Sequence, residues 1–526
     1  MDTKALRQKI LDLAIRGRLV PQDPNDEPAS VLLERIREEK KQMVKEGKLK
    51  AKDIKNDTII LKGEDNLHYE KFQDGTIKCI EDEIPFDVPK GWEWCRLQDL
   101  FIICSAKRVL QADWKDEGIP FYRAREIVKL SDNGFVDNEL FISEEHYLDL
   151  KKNFGVPDAG DIMLSAVGTI GKPYIVQEND TFYYKDASVI CLQKIGSYIS
   201  SEYIRLVLEA PYMQKMMYAN SNGTTVDTIT ISTANQYYIA VPPRLEQSRI
   251  VNMANSLLHH TIGIEESKEE LIELISVTKD KILDLAIRGK LVPHDPNDEP
   301  ASVLLEHIRA EKEELIKQGK LKRDKKESII YKRDDNSYYQ TGSSEPIEVP
   351  YEIPETWTWS NLKELCNYGV CDNIPPEVID SDAWILDLED IEKDTGKILY
   401  RASNAERKTT STKHSFQKNM ILYSKLRPYL NKVVLADDKG FCTSEIIPLD
   451  FSKIIVPRYA QIFLMSPYFV GYASHCSYGM KMPRLGTRDG ERALFAIPPY
   501  QEQIRIIDMV DRLFAELLII QDSFTM

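Results

Sequence analysis

The chain has 526 residues, of which 42% are apolar and 29% charged, and its formal net charge is −15. The length exceeds one domain and the composition is that of an ordinary globular protein, so a disordered or collagen-like chain is excluded. The acid excess argues against a protein that coats nucleic acid by bulk electrostatics, but not against a locally basic face. No apolar run reaches the ~18–20 residues that cross a bilayer. The opening residues Met1 to Arg7 lack the apolar core of a signal peptide, so the expected location is the cytoplasm.

In chain order, residues 2–17 predict a helix stopping at Gly17. A second helix is expected from Pro28, with proline at the first helical position, to Gly47. Residues 48–82 read as a charged connector. Residues 91–245 read as mixed α and β, with short β-branched runs such as 162–164 between turn residues and a helical stretch near 200–219. From Glu246 apolar residues recur in heptads, with Ile250, Leu257, Ile264 and Leu271 in one row and Met253 and Leu274 in its partner row. This pattern runs to Gly289 and predicts one helix of about 44 residues, roughly 66 Å long. Residues 300–319 predict another helix and 320–345 another connector. Residues 346–500 form a second mixed block with a helical stretch near 456–475, and 501–526 a last helix. The expected organisation is therefore 1–90 (helical frame and connector), 91–245 (first module), 246–345 (central helix, second helix, connector), 346–500 (second module) and 501–526 (closing helix).

The two halves repeat. Residues 9–17, KILDLAIRG, recur verbatim at 281–289, and DPNDEPAS at 23–30 recurs at 295–302. Each module closes on the same phrase, IAVPPRLEQ at 239–247 and FAIPPYQEQ at 495–503. Residues 502–526 match 246–270 and residues 2–17 match 274–289, so the two chain ends together rebuild the central helix. The fold class expected is α+β: two mixed α/β modules separated by long antiparallel coiled-coil helices, pseudo-two-fold, with the termini meeting.

No catalytic constellation stands up. Residues 168–173 imitate a phosphate loop, but Ala166 and Pro173 break that motif. Ile497 cannot hold the target amine that an N/D-P-P-Y methyltransferase motif requires. Cys79, Cys95, Cys104, Cys191, Cys366, Cys371, Cys442 and Cys476 form no C-x-x-C pair, so no metal is expected and they read as reduced, mostly buried thiols. Local charge remains. Residues 401–500 hold fifteen Lys and Arg against seven Asp and Glu. Candidate DNA-contacting residues there are Lys425, Arg427, Tyr429, Asn431, Lys432, Lys481, Arg484 and Arg488. Their counterparts in the first module are Arg123, Arg125, Thr169, Lys172, Tyr174, Asn222, Thr224 and Thr225. Arginine and lysine can take phosphates or guanine edges, and asparagine can read adenine.

The duplicated helical frame, the two closing phrases and the paired turns GDIMLS…GTIGK (160–172) and NMILYSKLRPYLNK (419–432) together resemble the DNA-specificity subunit of type I restriction–modification systems. The resemblance implies two target recognition domains, each reading one half of a bipartite, asymmetric double-stranded DNA site. It also implies frame helices that set the unread spacer and dock two methyltransferase subunits, with restriction subunits as further partners. S-adenosylmethionine, ATP and Mg would then sit on the partners, and this chain would be non-catalytic and carry no cofactor. The alternative is a non-catalytic coiled-coil adaptor or DNA mimic without sequence-specific binding.

Overall fold

The computed structural model describes residues 2–219, 221, 226–319, 329–335, 337–341, 344–451 and 453–525. The chain forms two compact units, Met1–Ser267 and Lys268–Met526. The division falls inside one helix, Arg244–Ile287, of 44 residues. Its buried and half-buried stripe runs through Ile250, Ala254, Leu257, Thr261, Ile264, Leu271, Ile275 and Ile282. That corrects the heptad reading in one row. Met253 and Leu274 are exposed, and the partner row lies one residue later, so the steps alternate four and three. A helix advances 100° per residue, so residue 254 lies 40° from residue 250 on one side, and residue 257 lies 20° away on the other.

In the first unit the helix Thr3–Ile15 is capped by Asp2, whose carboxylate accepts the Ala5 N–H at 2.9 Å. Gly17 ends it. The Arg18 N–H reaches the Leu13 carbonyl at 2.9 Å while Gly17 sits at φ +64°. A side chain there would adopt a disfavoured backbone and place its Cβ 2.5 Å from Pro89 Cγ. The second helix is Ala29–Lys45. Pro28 stands just before it with ψ 148°, not inside it as the sequence suggested, because that ψ is extended. A three-stranded antiparallel meander follows: Ile59–Lys62, His68–Lys71 and Ile77–Cys79. Glu93–Arg96 then pairs antiparallel with Tyr238–Val241, which sets Trp94 opposite Ala240 and closes the insert at its base. Between those strands lies a four-stranded antiparallel sheet in the order Phe101–Cys104, Val189–Lys194, Ile162–Ser165, Pro173–Ile175. A smaller sheet orders Tyr183–Tyr184, Ile119–Tyr122 and Phe141–Ile142. The helices Ser201–Glu209 and Pro211–Ala219 lead back towards the base.

The second unit repeats the frame atom for atom in places. Gly289 sits at φ +66°, with Pro354 Cγ 2.5 Å and Trp357 Cζ2 3.1 Å from a Cβ placed on it, where Gly17 has Pro89 and Trp92. Ala301–Lys317 matches the second helix, and Ile330–Lys332 with Tyr338–Gln340 matches part of the meander. Thr358–Asn361 pairs with Leu494–Ile497, again setting Trp359 opposite Ala496. The insert differs. Its five-stranded sheet runs Asn373–Ile374, Lys413–Phe416, Gly440–Cys442, Trp384–Leu386, Ala402–Ser403, beside a three-stranded sheet of Val433–Leu435, Ile421–Ser424 and Ile446–Leu449. The helices Pro457–Met465 and Pro467–His475 precede the closing strand, and Tyr500–Thr525 is the last helix.

The closing phrase earns its repetition through two buried side chains per unit. Gln247 is fully buried, accepts the Ser200 N–H at 2.9 Å and donates to the Pro242 carbonyl at 3.1 Å. Gln503 is equally buried. It accepts the Val456 N–H at 2.8 Å and donates to the carbonyls of Ile454 at 3.0 Å and Pro498 at 3.1 Å. The preceding glutamates, both 1% exposed, meet Gln22 in one unit and His294 in the other. One turn on, Arg249 pairs with Asp26 and Arg505 with Asp298. The eight cysteines are free. Three are buried, four half-buried and Cys79 exposed, so they are less uniformly buried than expected. Among the described residues, no helix is long and apolar enough to cross a membrane and no cluster of side chains could hold a metal ion.

Candidate nucleic-acid interface

Each unit carries the same clasped loop. In the second unit, the strand Ile421–Ser424 leads into residues 425–432. That loop is held from one side by the Lys425 N–H on the Glu445 carbonyl at 3.0 Å. From the other side the Leu485 N–H bonds the Lys425 carbonyl at 3.0 Å and the Arg427 N–H bonds the Pro483 carbonyl at 2.7 Å. In the first unit, the Ala166 N–H bonds Ser188, the Ile229 N–H bonds Ala166 at 2.9 Å and the Gly168 N–H bonds Asp227 at 3.0 Å. The register is the same: Ala166 answers Lys425 and Gly168 answers Arg427. Ser165 and Ser424 both turn their hydroxyls back onto the loop, to the carbonyls of Thr169 and Leu426.

The tips differ. Gly168 takes φ +79°, and Arg427 takes φ +50° at the same place. A non-glycine residue in that region costs about 1 kcal/mol, so the second unit retains an arginine where its sister uses the easier residue. Glu445 and Arg484 stand where the first unit has Ser188 and Thr228. The Arg484 guanidinium grips Glu445 through Nε and Nη2 at 2.8–3.1 Å, and hydrogen bonds from that guanidinium hold the Glu445 carboxyl below the usual range. This edge-on pairing leaves the outer Nη1–Nη2 edge turned away from the carboxylate.

In the second unit, Lys425, Arg427, Lys481 and Arg484 come together around the clasp. Tyr429 is half-exposed on the same loop, and Arg488 is exposed on the adjoining helix Thr487–Arg492. Among the described residues, the side chains of Lys425, Tyr429, Lys481 and Arg488 make no hydrogen bond. Two expected contact residues face inward. Asn431, 8% exposed at φ +48°, donates to the Met465 carbonyl at 3.0 Å, so its amide supports the loop and is withdrawn from the surface. Lys432 donates to the Leu388 carbonyl at 2.7 Å.

The first unit gives fewer free cations. Arg123 and Arg125 both clamp Glu126, which is 1% exposed, and Arg125 also reaches Glu139 at 2.7 Å. Burial alone would raise the Glu126 carboxyl, but the hydrogen bonds from the two arginines bring it below its usual value. These arginines therefore serve first as the counter-ions of one buried carboxylate. Lys172 pairs with Asp132 at 2.6 Å. The Tyr174 hydroxyl donates to Asp180 at 2.8 Å, and burial together with that carboxylate raises its pKa. Thr169 is exposed at the loop tip. Asn222, Thr224 and Thr225 lie outside the described residues.

Of residues 478–484 the sequence reading took Lys481 and Arg484 and missed the apolar side chains beside them. Tyr478, Met480 and Met482 are exposed there beside Lys481. The signal was present, since Tyr478, Met480 and Met482 alternate with Gly479, Lys481 and Pro483.

Residues 89–274 match the family model described as the type I restriction modification DNA specificity domain. The EcoEI specificity subunit of Escherichia coli, a type I restriction enzyme component, is 29% identical over 413 residues. That alignment takes in 69% of this chain and 61% of that one, so it spans about three-fifths of the relative. The EcoAI specificity subunit of the same species is 26% identical over 582 aligned positions, covering 97% of this chain and 88% of its own. A solved chain from work on complex assembly and conformational transition of the type I R-M system shares the fold. Its TM-score is 0.53 at 14% identity, over 84% of this chain and 94% of that one. In sequence and in fold the chain is thus similar to type I restriction–modification specificity subunits.

Proposed function

We propose that this chain reads a bipartite, asymmetric DNA site, with residues 91–245 on one half and residues 346–500 on the other. The observation that carries the proposal is the clasped loop. It recurs in both units with the same backbone register but unlike side chains, Gly168 against Arg427 and Ser188 with Thr228 against Glu445 with Arg484. A repeated scaffold with different tips is what reading two different sequences requires, whereas identical tips would read a palindrome. The contact residues proposed are Lys425, Arg427, Tyr429, Lys481, Arg484 and Arg488 in the second domain, and Thr169 and Lys172 in the first.

The helix Arg244–Ile287 would fix the unread spacer, and the frame helices would dock two methyltransferase subunits and, through them, restriction subunits. The partners would supply S-adenosylmethionine, ATP and Mg chemistry, and this chain would bind and orient without catalysing. A chain that reads chromosomal DNA in this way works in the cytoplasm. The test is co-expression with a methyltransferase subunit, followed by size exclusion with light scattering and gel shift. Two methyltransferase chains per copy of this chain, with specific DNA shifted only by the assembly, is the expected result. A monomer that ignores both methyltransferase and DNA would overturn the proposal and favour the adaptor reading.

A further inference from the structure

Residues 478–484 double back on themselves. The Tyr478 N–H donates to the Arg484 carbonyl at 3.1 Å, and the Arg484 N–H returns to the Tyr478 carbonyl at 2.9 Å. Gly479 at φ +102° and Pro483 turn the tip. Three ties stiffen the root. The Arg427 N–H holds the Pro483 carbonyl, the Leu485 N–H holds the Lys425 carbonyl, and the Arg484 guanidinium grips Glu445. At the tip the backbone is held by the Arg484 Nη1 on the Met482 carbonyl at 3.3 Å and the Arg427 Nη2 on the Lys481 carbonyl at 3.5 Å, while its apolar side chains stand clear. Met480 is 104% exposed, as bare as in an extended peptide, with Tyr478 at 64% and Met482 at 49%. Single exposed apolar residues are ordinary, but three in five positions on a rigid projection are not.

The charge around the tip says what covers it. From Tyr478 to Arg488 there is no acidic residue, and Lys481, Arg484 and Arg488 interleave with the apolar side chains. Lys425 and Arg427 lie at the root. A protein-docking patch of this size would lack apolar area, whereas cations flanking an apolar point suit a polyanion with an apolar interior. Duplex DNA has that form: phosphates flank the groove and base surfaces line it. Methionine, unbranched and polarisable, fits irregular base surfaces without a fixed geometry.

We propose that residues 478–484 form a finger that enters a groove of duplex DNA and packs Met480 and Met482 against the bases of the half-site read by residues 346–500, while Lys481 contacts phosphate. This rests on the DNA-reading function proposed above. The test uses the full chain assembled with its methyltransferase subunits and a synthetic duplex carrying the site mapped from methylated adenines, with 2-aminopurine placed in that half-site. Affinity is measured by anisotropy across a salt series, together with 2-aminopurine emission.

The doubly substituted Met480→Ala, Met482→Ala chain should bind about ten-fold more weakly or worse at every salt concentration, with the salt slope unchanged and the 2-aminopurine response lost. Met480→Leu should restore most of both. Lys481→Ala should instead reduce the salt slope by about 0.9. The thermal midpoint of the complex should not move, because these side chains support nothing in the fold. Unchanged affinity and emission in the double variant would overturn the finger. So would a loss of affinity that light scattering traces to a lost methyltransferase subunit, which would make the finger a protein contact. A wild-type assembly that binds the mapped duplex no better than a scrambled one would remove the DNA-reading function itself, and the finger with it.

Discussion

Replacing Gln503 with leucine keeps the volume at a fully buried position and removes every polar atom. Three hydrogen bonds go: one accepted from the Val456 N–H, which stands at the start of the helix Pro457–Met465, and two donated to the Ile454 and Pro498 carbonyls. An abandoned donor costs about 1–3 kcal/mol, less where water can reach it, and the Val456 and Ile454 bonds are only part-buried. The expected loss is about 2–4 kcal/mol. Gln247→Leu in the first unit breaks two bonds instead of three and should cost less. Urea denaturation followed by tryptophan fluorescence can read both variants, since Trp92 and Trp94 are buried in one unit and Trp357 and Trp359 in the other. With a slope of about 2 kcal/mol per molar, the midpoint of the affected transition should fall by about 1–2 M. A shift equivalent to less than about 0.5 kcal/mol, as for an exposed substitution, would refute the view that the closing phrase is repeated because its glutamine is a buried lock.

Other consequences are as concrete. Burial pushes the Asp99 carboxyl up from 3.8 to about 7. The folded first unit therefore holds a proton between those values that the unfolded chain has released. The stability this group contributes is full below about pH 4 and lost as pH rises through about 7. Asp99→Asn should flatten that decline in a urea midpoint measured from acid to neutral pH, and an equally steep decline in the variant would contradict the assignment. Arg427→Ala and Arg484→Ala should each weaken duplex binding by about 1–3 kcal/mol if they remove a guanine contact. Arg123→Ala should instead lower stability, because it strips a partner from buried Glu126. Gel shift and thermal melting run on all three variants separate the two effects, and equal affinity losses without any stability change would erase the distinction. Inserting seven residues after Leu271 should lengthen the unread spacer by about three base pairs, since seven helical residues add about 10 Å. An unchanged spacer with full affinity, read by methylome sequencing, would remove the ruler role.

The frame was legible because its signals are local and duplicated. The run 281–289 ends the long helix where glycine alone tolerates both φ +66° and the approach of Pro354, and the Trp–Ala echoes at 94/240 and 359/496 are cross-strand partners. One row of the seam lies one residue later than the heptads place it, because a step of three puts Met253 where the helix buries Ala254. The candidate DNA-contacting surface was less legible. Asn431 looks like a base reader in a basic loop, but the left-handed turn at its own backbone swings the amide onto Met465. Arg123 and Arg125 had their partner in view at Glu126, yet only the fold shows that the carboxylate is buried and must be matched. The clasp joins residues about sixty apart, Lys425 to Leu485, through backbone atoms that carry no side-chain signature.

The most direct measurement exchanges residues 346–500 for the corresponding segment of a similar specificity subunit and maps methylated adenines in cells that also express the methyltransferase subunit. The expected result is a new sequence in one half-site, with the other half and the spacer unchanged. A change in both halves would contradict the assignment of one recognition domain to each half.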